Sequence, residues 1–167
     1  DVLIKITNEY DVGQVMFSRA VFGLIPIFFL IPKEKLKNFY KTKYVSLHFY
    51  RSFIGAIAMY AIFVGLRNLE LAEVTSMAFS GPIWVVIFSI LFLGEKVRIT
   101  RWLAVGLGFL GVLIISKPGF DNLNLYYIFP IIFTLGFAGV SIFIRKLTLV
   151  GEPVYLIAFY FSVCSAI

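Results

Sequence analysis

From Val12 to Ile31 the chain reads "VGQVMFSRAVFGLIPIFFLI", an apolar run as long as the roughly 20 residues a helix needs to cross a bilayer. One such run fits a buried core helix, but this one recurs. Apolar stretches with charged ends follow at Phe49–Leu66, Val74–Leu93, Trp102–Ser116 and Leu125–Ile144, a further, broken one begins near Pro153, and Asp1–Thr7 reads as a span remnant. Each run must be covered by lipid or by another run. Of the 167 residues 60% are hydrophobic and 14% charged, and mean hydropathy is +0.95, whereas soluble domains use roughly 45–50% apolar residues. Too little polar surface remains to clothe a water-soluble globule. The expected fold class is all-α integral membrane, a transmembrane helix bundle.

The connections alternate in charge. Lys33, Lys35, Lys37, Lys41, Lys43, Arg51, Lys96, Arg98, Arg101, Arg145 and Lys146 fall on one side of the spans, whereas Lys5, Arg67 and Lys117 fall on the other. Short loops rich in Lys and Arg stay in the cytoplasm, so the first group faces in. The net charge of +6 is thereby a matter of topology. It does not form the solvated basic face that nucleic-acid binding needs, so no nucleic-acid partner is expected. Basic residues Lys33–Lys43 could also meet anionic lipid headgroups. A single cysteine, Cys164, and a single histidine, His48, leave no disulfide and no Cys/His metal cluster to argue from. No signal peptide can be read at Asp1, and the chain stops at Ile167 within an apolar run, which points to a longer natural protein or a truncated one.

Glycine and proline punctuate the spans. Gly106, Gly108 and Gly111 in "VGLGFLGV" would let a neighbouring helix approach closely. Pro82 falls mid-span, where it removes a backbone hydrogen bond that neighbours must replace, and Pro26 and Pro130 pose the same question. A faint internal echo pairs Lys5 with Lys146, Thr7 with Thr148 and Asp11 with Glu152. An odd number of spans separates the two copies, so the second would be inverted in the membrane, as in many secondary transporters.

"FSRAVFG", "AEVTSMAFSGPIWVVIFSILFLGEKV" and "RWLAVGLGFLGVLIISKPGF" together resemble the drug/metabolite transporter superfamily, specifically its EamA-type members. The resemblance implies ten helices in two inverted five-helix repeats. Residues 1–119 would hold the first repeat, from the end of helix 1 through helix 5, and residues 120–167 the start of the second, with helix 6 and part of helix 7. Within the family, Pro82 with its preceding "FS", Arg101–Trp102, "GFLGV", Lys117–Pro118 and Phe159–Tyr160 resemble the S-adenosylmethionine uptake carriers of intracellular bacteria. The chain departs from the family in lacking most of helix 1 and the rest of the second repeat.

The charged residues give the candidate site. Arg19 lies about 10 Å into its span at 1.5 Å per residue, deep enough to demand a partner. It either clamps a substrate carboxylate bidentately or holds the bundle through a structural ion pair or carbonyl contacts. Glu73 stabilises a helix start or faces an outer vestibule, where it would attract a cation or take up a coupling proton. From Glu73, the positions Met77, Ser80 and Trp84 continue one helical face. That face offers a hydroxyl and an aromatic surface able to hold a sulfonium or ammonium, although a lipid-facing Trp84 explains the same residue. Tyr60 is a further candidate pocket residue. Gly94 reads as a helix stop and Glu95 as the partner of Lys96, Arg98 or Arg101; His48 reads as an interfacial residue.

These expectations add up to a secondary transporter of a small polar metabolite, S-adenosylmethionine or an amino-acid-like compound, working by alternating access in the inner membrane as a multi-pass protein. Arg19, Tyr60, Glu73, Ser80 and Trp84 are the candidate substrate-binding residues. No cofactor or metal is expected, and no enzyme activity, since no acid/base or nucleophile constellation lies within the spans. The expected partners are the small-molecule substrate, membrane lipids, and either a homodimer mate or the missing remainder of the carrier. The alternative is a truncated, non-transporting membrane fragment or assembly subunit.

Overall fold

The computed structural model describes residues 11–31, 42–116 and 125–165. The expected span remnant Asp1–Thr7, Lys5, the basic residues Lys33 to Lys41, Lys117 and the boundary between residues 119 and 120 lie outside them. The described chain forms α1 (Val12–Leu30), α2 (Val45–Asn68), α3 (Leu71–Ala78), α4 (Gly81–Leu93), α5 (Ile99–Ser116), a short 3-10 turn (Leu125–Tyr127), α6 (Ile128–Leu149) and α7 (Val154–Ser165). Among the described residues there is no strand, and the fold is an all-α bundle. Val45–Asn68, Leu71–Leu93 and Leu125–Leu149 are each long and apolar enough to cross a membrane, and Val12–Ile27, Ile99–Ile114 and Val154–Ser165 are shorter apolar helices.

Local chemistry sets the helix ends. The Asp11 carboxylate accepts the Gly13 N–H at 3.2 Å and starts α1. Glu70 and Glu73 form a reciprocal capping box at the start of α3. At the ends of α4 and α6 the chain leaves the helix through glycines with positive φ, Gly94 at 63° and Gly151 at 81°. The Glu95 N–H then returns to the Ser89 carbonyl at 3.4 Å, and the Glu152 N–H to that of Leu147 at 3.0 Å.

Two helices outrun their apolar cores. α2 takes in His48, Arg51 and Arg67, and α6 continues through Arg145 and Lys146, with His48 and the Arg51 guanidinium packed inside the bundle and Arg145 free to snorkel from its half-exposed position. The third expected span is interrupted at Phe79–Ser80, just before Pro82. Thr75 and Ser76 donate to the carbonyls of Leu71 and Ala72 at 2.7 and 2.6 Å, and Ser80 donates to that of Met77 at 2.6 Å. Such back-bonding competes with the helical ladder, and Pro82, lacking an N–H, completes the interruption. Pro130 stands in the first turn of α6, where no ladder bond is lost.

α2 is the central helix and packs on α6 and α7. A Cβ on Gly136 would lie 2.7 Å from the Ala58 Cβ, one on Gly55 would lie 2.8 Å from Phe161, and one on Gly65 3.3 Å from Pro130. These glycines let the backbones approach, as packing in lipid requires. The expectation for Gly106, Gly108 and Gly111 is corrected: a Cβ at any of them would meet nothing within 4 Å, because α5 turns that face away from the other described helices.

The basic connections gather at one end of the bundle. Thr42 Oγ1 donates to Glu152 Oε1 at 2.6 Å, and His48 Nε2 lies 3.5 Å from Glu152 Oε2. His48 is fully buried and stacks on Tyr160, with ring centroids 4.7 Å apart, so it is an interior residue and not an interfacial one. Glu95 pairs with Arg145 instead of a neighbour in its own loop. At the opposite end Leu66, Leu69 and Val74 cluster with Tyr127.

Two contrasts test this packing. Gly136→Ala should destabilise the protein by about 1–3 kcal/mol through overpacking at Ala58, whereas Gly108→Ala should stay within about 0.5 kcal/mol; thermal unfolding in detergent measures both. Glu152→Ala strands buried groups and should cost about 1–3 kcal/mol, while Glu95→Ala loses an exposed pair worth about 1 kcal/mol at most. Equal losses from the two glutamates would contradict the assigned burial.

Candidate functional site

The face of α2 that carries Arg51, Gly55, Ala58, Met59, Ile62 and Leu66 borders a cavity of about 420 Å³, within the range of small-molecule sites. Small residues near the middle of this face keep the space open. α1 contributes Arg19, α3 contributes Val74, Thr75 and Ala78, α6 contributes Phe133, Phe137 and Val140, and α7 contributes Phe161. A second recess of about 310 Å³ shares Thr75, Ala78, Phe133 and Phe137 and reaches Phe79 and Pro82. The open volume therefore runs up to the break between α3 and α4.

The lining is apolar apart from Thr75 and two arginines. The Thr75 hydroxyl is occupied by the Leu71 carbonyl. Arg51 lies over the Phe161 ring, its guanidinium carbon 4.3 Å from the centroid, a cation–π contact worth about 0.5–2 kcal/mol. Its Nε and Nη1 are shielded from solvent and have no hydrogen-bond partner among the described residues. Among the described residues no Asp or Glu lines the cavity.

Of the five candidate residues, Arg19 is the one on this cavity. Tyr60 is half-exposed and continues the outward stripe of Phe49, Phe53 and Ile57. Glu73 is buried; its Oε2 accepts the Glu70 N–H at 3.2 Å and its Oε1 accepts the Tyr127 hydroxyl at 2.6 Å. Ser80 caps the Met77 carbonyl at the helix break, and Trp84 is partly buried one turn beyond it on α4. The structure does not bring these four together with Arg19. Sequence reasoning missed Arg51, which counted there as a loop charge. Its signal lay in the register, since Gly55, Ala58 and Ile62 follow it at helical spacing.

Among the described residues no group of His, Cys, Asp or Glu could hold a metal ion.

The profile of the EamA-like transporter family matches residues 1–117. The chain is 29% identical over 151 residues to a pseudopaline exporter of Pseudomonas aeruginosa, covering 89% of this chain and 52% of that protein. It is 28% identical over 145 residues to a riboflavin transporter of Brucella anthropi, covering 87% and 51%. It is 26% identical over 160 residues to an S-adenosylmethionine uptake transporter of Rickettsia felis, covering 96% and 53%. The chain thus spans about half the length of the curated relatives it matches. No solved structure gives a significant match. With a family profile covering most of its length and apolar helices able to span a bilayer, the chain belongs to the EamA-like transporter family of multi-pass membrane proteins.

Proposed function

We propose that the chain is the substrate-binding part of a secondary transporter that moves a small polar metabolite across the inner membrane by alternating access. The observation that carries this reading is the cavity itself. Its walls come from α1, α2 and α3 on one side of the 119/120 boundary and from α6 and α7 on the other. If residues 1–119 and 120–167 belong to two inverted repeats, the cavity lies at their interface, where carriers of this kind bind their cargo.

The relatives are named for pseudopaline, riboflavin and S-adenosylmethionine, so the substrate has to be argued from the lining. S-adenosylmethionine and amino-acid-like compounds share a carboxylate, which Arg19 would clamp by two parallel N–H···O bonds. The rings of Phe133, Phe137 and Phe161 would face a sulfonium or a flat heterocycle. Tyr60, Glu73, Ser80 and Trp84 have their main contacts elsewhere, and the proposal rests on Arg19.

The test is uptake of labelled S-adenosylmethionine, and separately of riboflavin, by proteoliposomes holding the protein. Arg19→Ala should lower uptake of the transported compound by about 10-fold or more, the worth of a charge-assisted hydrogen bond, while membrane insertion stays intact. Unchanged uptake would remove Arg19 from the site, and no saturable uptake of any compound would favour the non-transporting alternative.

A further inference from the structure

We infer that Arg51 is a second anion-binding residue of the cavity, and that Arg19 and Arg51 together hold the carboxylate or phosphate of a solute whose apolar, flat body lies along α2. The inference rests on the transport reading for what the solute is, but its residues are located independently. Val12 of α1 packs against Met59 and Phe63 of α2. Arg19 is seven residues further along α1, about 10 Å at the helical rise, which brings it to the depth of residues 52–56 on the antiparallel α2. Gly23, one turn beyond Arg19, faces Ser162 of α7, next to the Phe161 ring on which Arg51 lies. Both arginines therefore flank Phe161 at one end of the cavity.

The electrostatics at that end are incomplete. Two guanidiniums share one cavity, no carboxylate of the described residues lines it, and Glu152 is engaged by Thr42 and His48. Among the described residues Arg51 Nε and Nη1 have no acceptor, although buried donors are almost always satisfied. A ring face beneath the guanidinium offsets charge but accepts no N–H in the guanidinium plane. A planar, two-oxygen anion supplies what is missing, acceptors for the fork of Arg51, and the exposed Arg19 on the same cavity adds a second positive charge to hold it. The remainder of the cavity follows α2 as far as Leu66, about 22 Å from Arg51 at the helical rise. Its walls are methyl groups and phenyl rings, suited to an aromatic body and not to a second charge.

Matched probes test this. Calorimetric titration of the purified protein in phosphatidylcholine nanodiscs would compare naphthoate, its neutral amide and naphthylmethylammonium. Naphthoate should bind about 10- to 100-fold more tightly than the amide, and the ammonium should bind weakest. Arg51→Gln should abolish the preference for naphthoate over the amide, and Arg51→Lys, which keeps the charge but loses the fork, should restore part of it. A monodisperse elution profile and an unchanged helical circular dichroism spectrum establish that each variant is folded. Equal affinity for acid and amide, or a full preference retained in Arg51→Gln, would overturn the inference. So would phosphatidylglycerol that co-purifies with the native protein but not with Arg51→Gln while naphthoate fails to bind, since the anion would then be a lipid headgroup. Transport that proceeds unchanged in Arg51→Gln sinks this inference alone. An Arg51-dependent naphthoate preference in a protein that transports nothing would leave the anion site standing and overturn the carrier reading.

Discussion

The bundle depends on the close crossing of α2 and α6, where Gly136 has no room for a side chain beside Ala58. In lipid, apolar helices gain nothing from hiding apolar surface from each other, and association relies on dense contact between small residues. The same device seats Phe161 of α7 against Gly55 and Pro130 of α6 against Gly65. α2 is thereby gripped along its length. The same stretch of α2, at Gly55 and Ala58, borders the cavity that α1 and α3 close from the other side.

Charge is distributed by a different rule at the ends than inside. Glu95 with Arg145, and Glu152 with Thr42 and His48, tie the basic connections together at one end. Glu73 and Tyr127 do the same work at the opposite end. These groups answer each other within the chain. Among the described residues, Arg51 Nε and Nη1 have no such answer, and shielded donors of a cation left without an acceptor are costly enough to mark a functional position in a membrane protein.

The break between α3 and α4 belongs with this arrangement. Ser and Thr hydroxyls at positions 75, 76 and 80 turn to backbone carbonyls just before Pro82, and irregular backbone at membrane depth is tolerated where it borders protein or a cavity. Here it borders both, with Gly81 against Phe137 and the smaller recess at Pro82. The interruption relieves the strain of a proline in a long helix and sets a bend beside the open volume.

Much of this was legible in the residues. The apolar runs, their charged ends and the asymmetry of Lys and Arg determined the helices and which connections share a side, since a chain in lipid must satisfy its backbone within each helix and basic loops stay on one face. Gly94 also read correctly as a helix stop, because left-handed glycine is a local property. What the sequence could not determine was which faces meet. The glycine cluster of α5 looked like a packing surface and meets no described helix, while isolated glycines at 55, 65 and 136 make the contacts. His48 looked interfacial and is enclosed, Glu95 looked like the partner of Lys96, Arg98 or Arg101 and pairs with Arg145, and Arg51 looked like a loop charge and lines the cavity. Helical spacing along one segment follows from the backbone alone, but a contact between segments depends on the shapes of both surfaces at once, and only the tertiary structure brings those surfaces together.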